Sequence, residues 1–161
     1  MTSKNDYFKT FCKVSKAFGT TLREEELLDL IVQSAIDTMG GKAASLFLAD
    51  EEKDVFVPVA QKGLSENYLH AGTERARKTV ADILEGGYLS ILDAATDLRI
   101  ENREAKKAEG IASILVVPVM VRDKAIGILS LYTDSTRDFS NDDADFLTAL
   151  AEQGGMAIEH A

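Results

Sequence analysis

Covalent and metal chemistry have little to work with in this chain. Its 161 residues include one cysteine, two histidines and two prolines. A lone cysteine, Cys12, excludes an intrachain disulfide framework and any Cys-x-x-Cys zinc site, and it fits a reducing cytoplasm. The histidines, His70 and His160, stand too far apart in sequence to form a local metal-ligand pair. Basic runs are short, none longer than the stretch with Arg75, Arg77 and Lys78, and the formal charge is −9. Nothing therefore draws a nucleic-acid backbone or an anionic membrane toward the surface. The longest apolar run, Ile114 to Val121, falls far short of the roughly 20 residues that span a bilayer. Residues Met1 to Tyr7 contain no apolar signal core. These features predict a soluble, cytoplasmic chain. No P-loop, nucleophile elbow or dinucleotide glycine pattern occurs, so the chain is expected not to be an enzyme.

Apolar residues are 45% of the sequence against 28% charged, a globular balance over a length that suits one domain. Tyr7, Phe11, Val14 and Phe18 recur at helical steps, and Gly19 ends that first helix. Thr21 and Glu24 have capping-box spacing, followed by a second helix through Leu28, Ile31, Val32, Ala35 and Met39 to the Gly40-Gly41 stop. Residues 43–49 and 55–60 read as a hairpin, with Pro58 marking the second strand as an edge. A weakly amphipathic helix is expected at about 74–85, a short strand at 88–92, and a polar surface helix at about 99–109. Residues 112–121 and 125–133 form the most apolar hairpin, deep in the sheet, turned by Arg122-Asp123-Lys124. Pro118 there requires a bulge or a locally unpaired edge. Ser140 and Asp143 repeat the capping-box spacing before a last helix, with Leu147, Leu150, Gly154, Ala157 and Ala161 on one stripe. Two glycines inside that helix, Gly154 and Gly155, imply close backbone approach to the sheet or to another helix.

The serine and alternating apolar residues of Ser113, Leu115 and Val117-Pro118, followed by Ile126-Gly127-Ile128-Leu129, then Phe139-Ser140 and the terminal helix, resemble the GAF domain family. The order of elements over residues 20–160 agrees. The resemblance implies an α+β fold: a central antiparallel sheet with the N- and C-terminal helices on one face. Its other face would carry a lid of loops and short helices, here about residues 64–109. It implies a helix at residues 1–19, suited to dimerisation or signalling, and a GAF domain over 20–161. The implied role is sensory and regulatory, with a small molecule bound under the lid.

Which ligand is narrowed by what departs from the family. Cys12 lies away from the positions of bilin-attaching or redox-active cysteines, and the several cysteines of free-methionine sulfoxide reductases are absent. His70, in the lid loop, has nothing nearby to complete a haem or metal site. Phe139 and Asp143 match parts of the nucleotide-binding signature, but Ala144 follows Asp143 and no Asn-Lys pair precedes them. The aspartates 134, 138, 142, 143 and 145 lack the glycine and distal glutamate of a calcium loop. Basic residues in the lid are interleaved with glutamates, as on solvated faces. The cofactor is therefore left unknown, and the partner is an unidentified, non-covalent small molecule. Contacts are expected from His70 and Tyr88 on the lid side, Asp93 and Ala95 after the third strand, and Ser113 and Ile114 on the fourth. Homodimerisation through the terminal helices is expected as well. A dimerisation module with a filled pocket is the alternative.

Overall fold

Strand parity decides the layers. The computed structural model describes residues 4–20, 23–70 and 75–159. Its elements are α1 (Lys4–Ala17), α2 (Glu24–Met39), β1 (Ala43–Asp50), β2 (Val55–Lys62), α3 (Glu66–His70), α4 (Ala76–Gly86), β3 (Leu89–Ile91), α5 (Arg103–Ala108), β4 (Ser113–Val121), β5 (Lys124–Thr133) and α6 (Asn141–Glu159). The strands form one antiparallel sheet in the order β2-β1-β5-β4-β3. Successive side chains leave a strand on opposite faces. Hence Leu46, Leu115, Val117, Leu129 and Leu131 meet α2 and α6 in one core. Phe47, Ile114, Val116, Ile128 and Tyr132 meet the segment between β2 and β4 in another.

α1 packs on α2 and α6. Tyr7 and Val14 supply its buried face, and its polar ties are Thr10 to Thr38 at 2.9 Å and Ser15 to Gln153 at 2.7 Å. At the start of α2, Glu24, Glu25 and Glu26 occupy the first turn. There Glu26 accepts the backbone N–H of Arg23 at 3.3 Å. Thr21, the expected cap, lies outside the described residues, as does His160.

Both prolines sit where a missing N–H is tolerated. Pro58 is on the edge strand β2, and the register shifts beside it, between Leu46 and Phe47. Pro118 pairs with Ile128 of β5, while β3 reaches only as far as Val116 on the other side. The β4–β5 turn is made by Arg122 and Asp123, both with positive φ (51° and 66°), as the twist of a two-residue type I′ hairpin requires. The Ser140 capping box forms as expected: Asp143 accepts the Ser140 N–H at 2.9 Å, and Ser140 Oγ accepts the Asp143 N–H at 3.1 Å.

Two expectations about the lid need correction. The polar helix begins at Arg103 rather than Arg99, because Asp97 holds the backbone N–H of Arg99 at 2.8 Å in a turn. Nor does it lie wholly on the surface, since Lys106 is only 3% exposed. The lid is also better anchored than its composition suggests. Leu64, Ala76, Ile83 and Ile100 are buried against the sheet and turn what reads as a weakly amphipathic segment into a second core.

The paired glycines of α6 mark the closest approach between helix and sheet. A Cβ on Gly155 would stand 2.5 Å from the Met120 carbonyl oxygen, and one on Gly154 would stand 3.2 Å from Leu46 Cδ1. Gly155→Ala is therefore expected to lower stability by about 1–2 kcal/mol in urea titrations, overpacking outweighing the better helix propensity. Gly86→Ala, with nothing within 4 Å of its new methyl, should instead raise stability by about 0.5 kcal/mol. Equal small effects at both sites would contradict the close approach.

Candidate functional site

The lid and the sheet enclose a cavity of about 60 Å³. Its floor follows from strand alternation: Ile128, Ser130 and Tyr132 on β5, Ile114 and Val116 on β4, Phe47 on β1, and Phe56 and Pro58 on β2. Its roof is Tyr68 and Leu69 from α3, Thr79 from α4, Arg99 and Ile100 from the following turn, and Lys106 from α5. Ser45 and Tyr132 share a hydrogen bond of 2.9 Å between hydroxyls, and Tyr68 meets Tyr132 edge-on at 6.2 Å between centroids. Lys106 Nζ lies 5.8 Å from the centre of the Tyr68 ring and donates to the Glu101 carbonyl at 2.8 Å. Arg99 pairs with Asp97 at 2.7 Å and donates to the Ser90 carbonyl at 2.8 Å. Hydrogen bonding from Arg99 holds the Asp97 carboxyl below the usual carboxylate range against the opposing effect of burial. The enclosed space takes a few small atoms, whereas sites for drug-sized ligands run to roughly 300–1,000 Å³. Anything larger requires the lid to move.

Of the residues expected to touch ligand, Ile114 lines this cavity. Ser113, its neighbour on β4, has the opposite parity. Its hydroxyl donates to the Leu92 carbonyl at 2.6 Å and accepts the Arg137 N–H at 2.9 Å. Tyr88 packs against the helix-side core, and its hydroxyl donates to Asn141 at 3.0 Å. Asp93 closes a local turn by accepting the Ala95 N–H at 3.0 Å, and both residues are exposed. His70 ends α3, and its side chain lies outside the described residues. The sequence reading missed Tyr68, Lys106, Ser130 and Tyr132. A signal for two of them was present: Ser130 and Tyr132 share one parity in a strand whose remaining residues between Lys124 and Thr133 are apolar or glycine, so that polar atoms must face something.

Comparison with known proteins settles the family. The profile described as GAF domain matches residues 21–159. The chain belongs to the GAF domain family. Among solved structures, the GAF domain of an Acinetobacter phosphoenolpyruvate-protein phosphotransferase is 23% identical, with a TM-score of 0.77 over 96% of this chain and 94% of that one. The corresponding Coxiella burnetii domain is 19% identical, with a TM-score of 0.81 over 99% and 96%. Free methionine-R-sulfoxide reductase from Neisseria meningitidis, solved with its substrate, is 16% identical, with a TM-score of 0.73 over 95% and 88%. At these identities the likeness is one of fold. No curated protein matches the sequence. GAF domains are generally regulatory or sensory, and some relatives belong to enzymes.

Two further features bear on what this GAF domain can do. Cys12 sits half-buried on α1, whose partners are α2 and α6, so the sheet separates it from the cavity. Among the described residues, no group of histidine, cysteine and carboxylate side chains is arranged to hold a metal ion, and no helix is long and apolar enough to cross a membrane.

A polar node ties the helical layer together. The Tyr7 hydroxyl donates to Asp143, Arg137 reaches the same carboxylate at 3.1 Å and also the Met39 carbonyl, and Tyr7 stacks on Phe146 with centroids 4.2 Å apart. Burial and the neighbouring carboxylate push the Tyr7 hydroxyl pKa upward. For Asp143, burial alone acts upward, but hydrogen bonds from Tyr7 and Ser140 and the charge of Arg137 hold its carboxyl below the ordinary value. A carboxyl with a depressed folded-state pKa contributes stability above its unfolded value of about 3.9, and that contribution is lost as pH falls through the folded-state pKa. Asp143→Asn should cost about 2 kcal/mol at pH 7 and flatten the decline in Tm below about pH 4. An unchanged acid limb in the variant would remove Asp143 from this role.

Proposed function

We propose that this chain is a regulatory sensor that binds a small molecule non-covalently between lid and sheet, without catalysing a reaction, in the cytoplasm. The observation that carries this reading is the cavity itself. Six elements, β1, β2, α3, α4, α5 and β5, bring hydroxyls, a buried cation and aromatic rings around one cavity. A core with no ligand to receive would be more economically filled with aliphatic side chains. In this reading ligand touches Ile114 directly, and His70 approaches from the end of α3. Tyr88, Asp93, Ala95 and Ser113 hold the segment around β3 in place.

Transmission to the terminal helices follows the hydrogen bonds that cross the sheet edge. Leu92 is tied through Ser113 to Arg137, and Arg137 is tied to Asp143, Tyr7 and Met39. A ligand that alters the lid near Leu92 biases the start of α6 and the position of α1, provided that it binds the two arrangements with different affinity. Residues 1–19, which contain α1 (Lys4–Ala17), are assigned to signalling and dimerisation, and residues 20–161 to the sensing domain.

A second reading, a homodimerisation module without ligand, draws on one observation. Phe8 is 66% exposed and Met156 is 48% exposed on the terminal helices, and Phe8, Phe11 and Phe146 line a shallow groove between α1 and α6. Native mass spectrometry of gently purified protein separates the two readings. Sensing predicts a small retained mass, or one acquired from a metabolite library and released on mild activation. An empty dimer that no library member binds would sink the sensor and leave the scaffold.

A further inference from the structure

We propose that a second copy of this chain docks on the outer face of α1 and α6, the basic strip of α1 in each copy lying over the acidic strip of α6 in the other; this rests on the dimerisation role assigned to α1 above. The first support is the way charge is sorted on that face. Lys9, Lys13 and Lys16 follow one another at helical steps along α1, and all three are exposed. Asp145, Ala149, Glu152 and Met156 form a matching stripe along α6, in which both carboxylates are exposed. Among the described residues, none of these three lysines and two carboxylates has an ion-pair partner within the chain.

The second support is what lies between the strips. Phe8, 66% exposed, borders the lysines on one side. On its other side, with Phe11 and Phe146, it lines the groove that Asp145 and Ala149 close. An aromatic patch held out in water between a positive and a negative strip has the make-up of a contact surface, apolar at the centre and charged at the rim. Symmetry supplies the third support. A two-fold axis in the plane of contact, running along that border, lays each copy's lysines over the other's carboxylates and brings the two aromatic patches together, so the face is complementary to itself. Two copies of a chain with formal charge −9 repel at long range, and a lasting contact has to set unlike charges against each other.

The test measures self-association of the full chain by sedimentation velocity and native mass spectrometry. Expected is a dimer whose dissociation constant rises about tenfold or more between roughly 0.05 M and 0.5 M salt, since exposed charges are screened over that range. Lys9→Glu with Lys13→Glu makes both strips acidic, and Asp145→Lys with Glu152→Lys makes both basic. Each double variant alone should be monomeric where the unmodified protein is dimeric. An equimolar mixture of the two should restore a mixed dimer, because both contacts again join unlike charges. Lys53→Glu with Lys62→Glu carries the same change of charge as the first variant on the β1–β2 hairpin, outside both strips, and should leave association as it is. A salt-insensitive dimer, undiminished self-association of either folded strip variant, an equal loss in the hairpin control, or a mixture that stays monomeric would overturn the pairing of strips and leave dimerisation through another surface standing. An unmodified protein that stays monomeric at every concentration and salt would remove the pairing and the dimerisation role together. Salt dependence is read on the unmodified protein, so a variant that fails to fold does not spare the proposal.

Discussion

The β4–β5 hairpin is apolar on both faces, and the rest of the fold answers that constraint. A strand flanked by water on one side alternates apolar and polar residues. In Ser113–Val121 and Lys124–Thr133 the alternation is mostly between two sets of apolar side chains. Leu115, Val117, Leu129 and Leu131 require one cover, and Ile114, Val116 and Ile128 require another. Two layers must therefore be built from what the chain offers elsewhere. The covers differ in kind, and the difference in kind is where function enters.

On one side the cover is long and regular. α2 and α6 lie close enough to the sheet that Gly154 and Gly155 are needed at the contact, and α1 is fastened outside them by Tyr7, Asp143 and Arg137. On the other side the cover is assembled from a five-residue helix, an eleven-residue helix, turns and a six-residue helix. Short pieces cannot tile a sheet as closely as long helices can, and the gap they leave holds Ser130, Tyr132, Tyr68 and Lys106. The regular layer and the irregular one meet at the β3 edge. There Ser113 bonds to Leu92 on one side and to Arg137 on the other.

Much of this was legible from local pattern. Helical stripes through Val14 and Leu147, the capping box of Ser140 and Asp143, the edge position of Pro58 and the meaning of Gly154-Gly155 each depend on neighbours within a few residues or on one backbone preference. The candidate site was less legible. Ile114 is readable as a strand residue facing inward, but Ser113 beside it was placed with it, although the pleat sends the two to opposite faces. Lys106 was hidden because a lysine in a polar helix reads as solvated, and partners from outside that helix, such as Tyr68 and the Glu101 carbonyl, help to make its burial tolerable.

The sequence by itself determined most of the element order, though not the short α3, because helix and strand periods are local; strings within β4 and β5 carried the family resemblance, and the lid was what that resemblance implied. Only the tertiary structure decided which side of each strand meets the lid and how much space is left there. It also decided which polar side chains enter that space, since the cavity's walls come from segments as far apart as Phe47 and Tyr132. No periodicity links such segments; their meeting is set by sheet order and by the packing of whole layers.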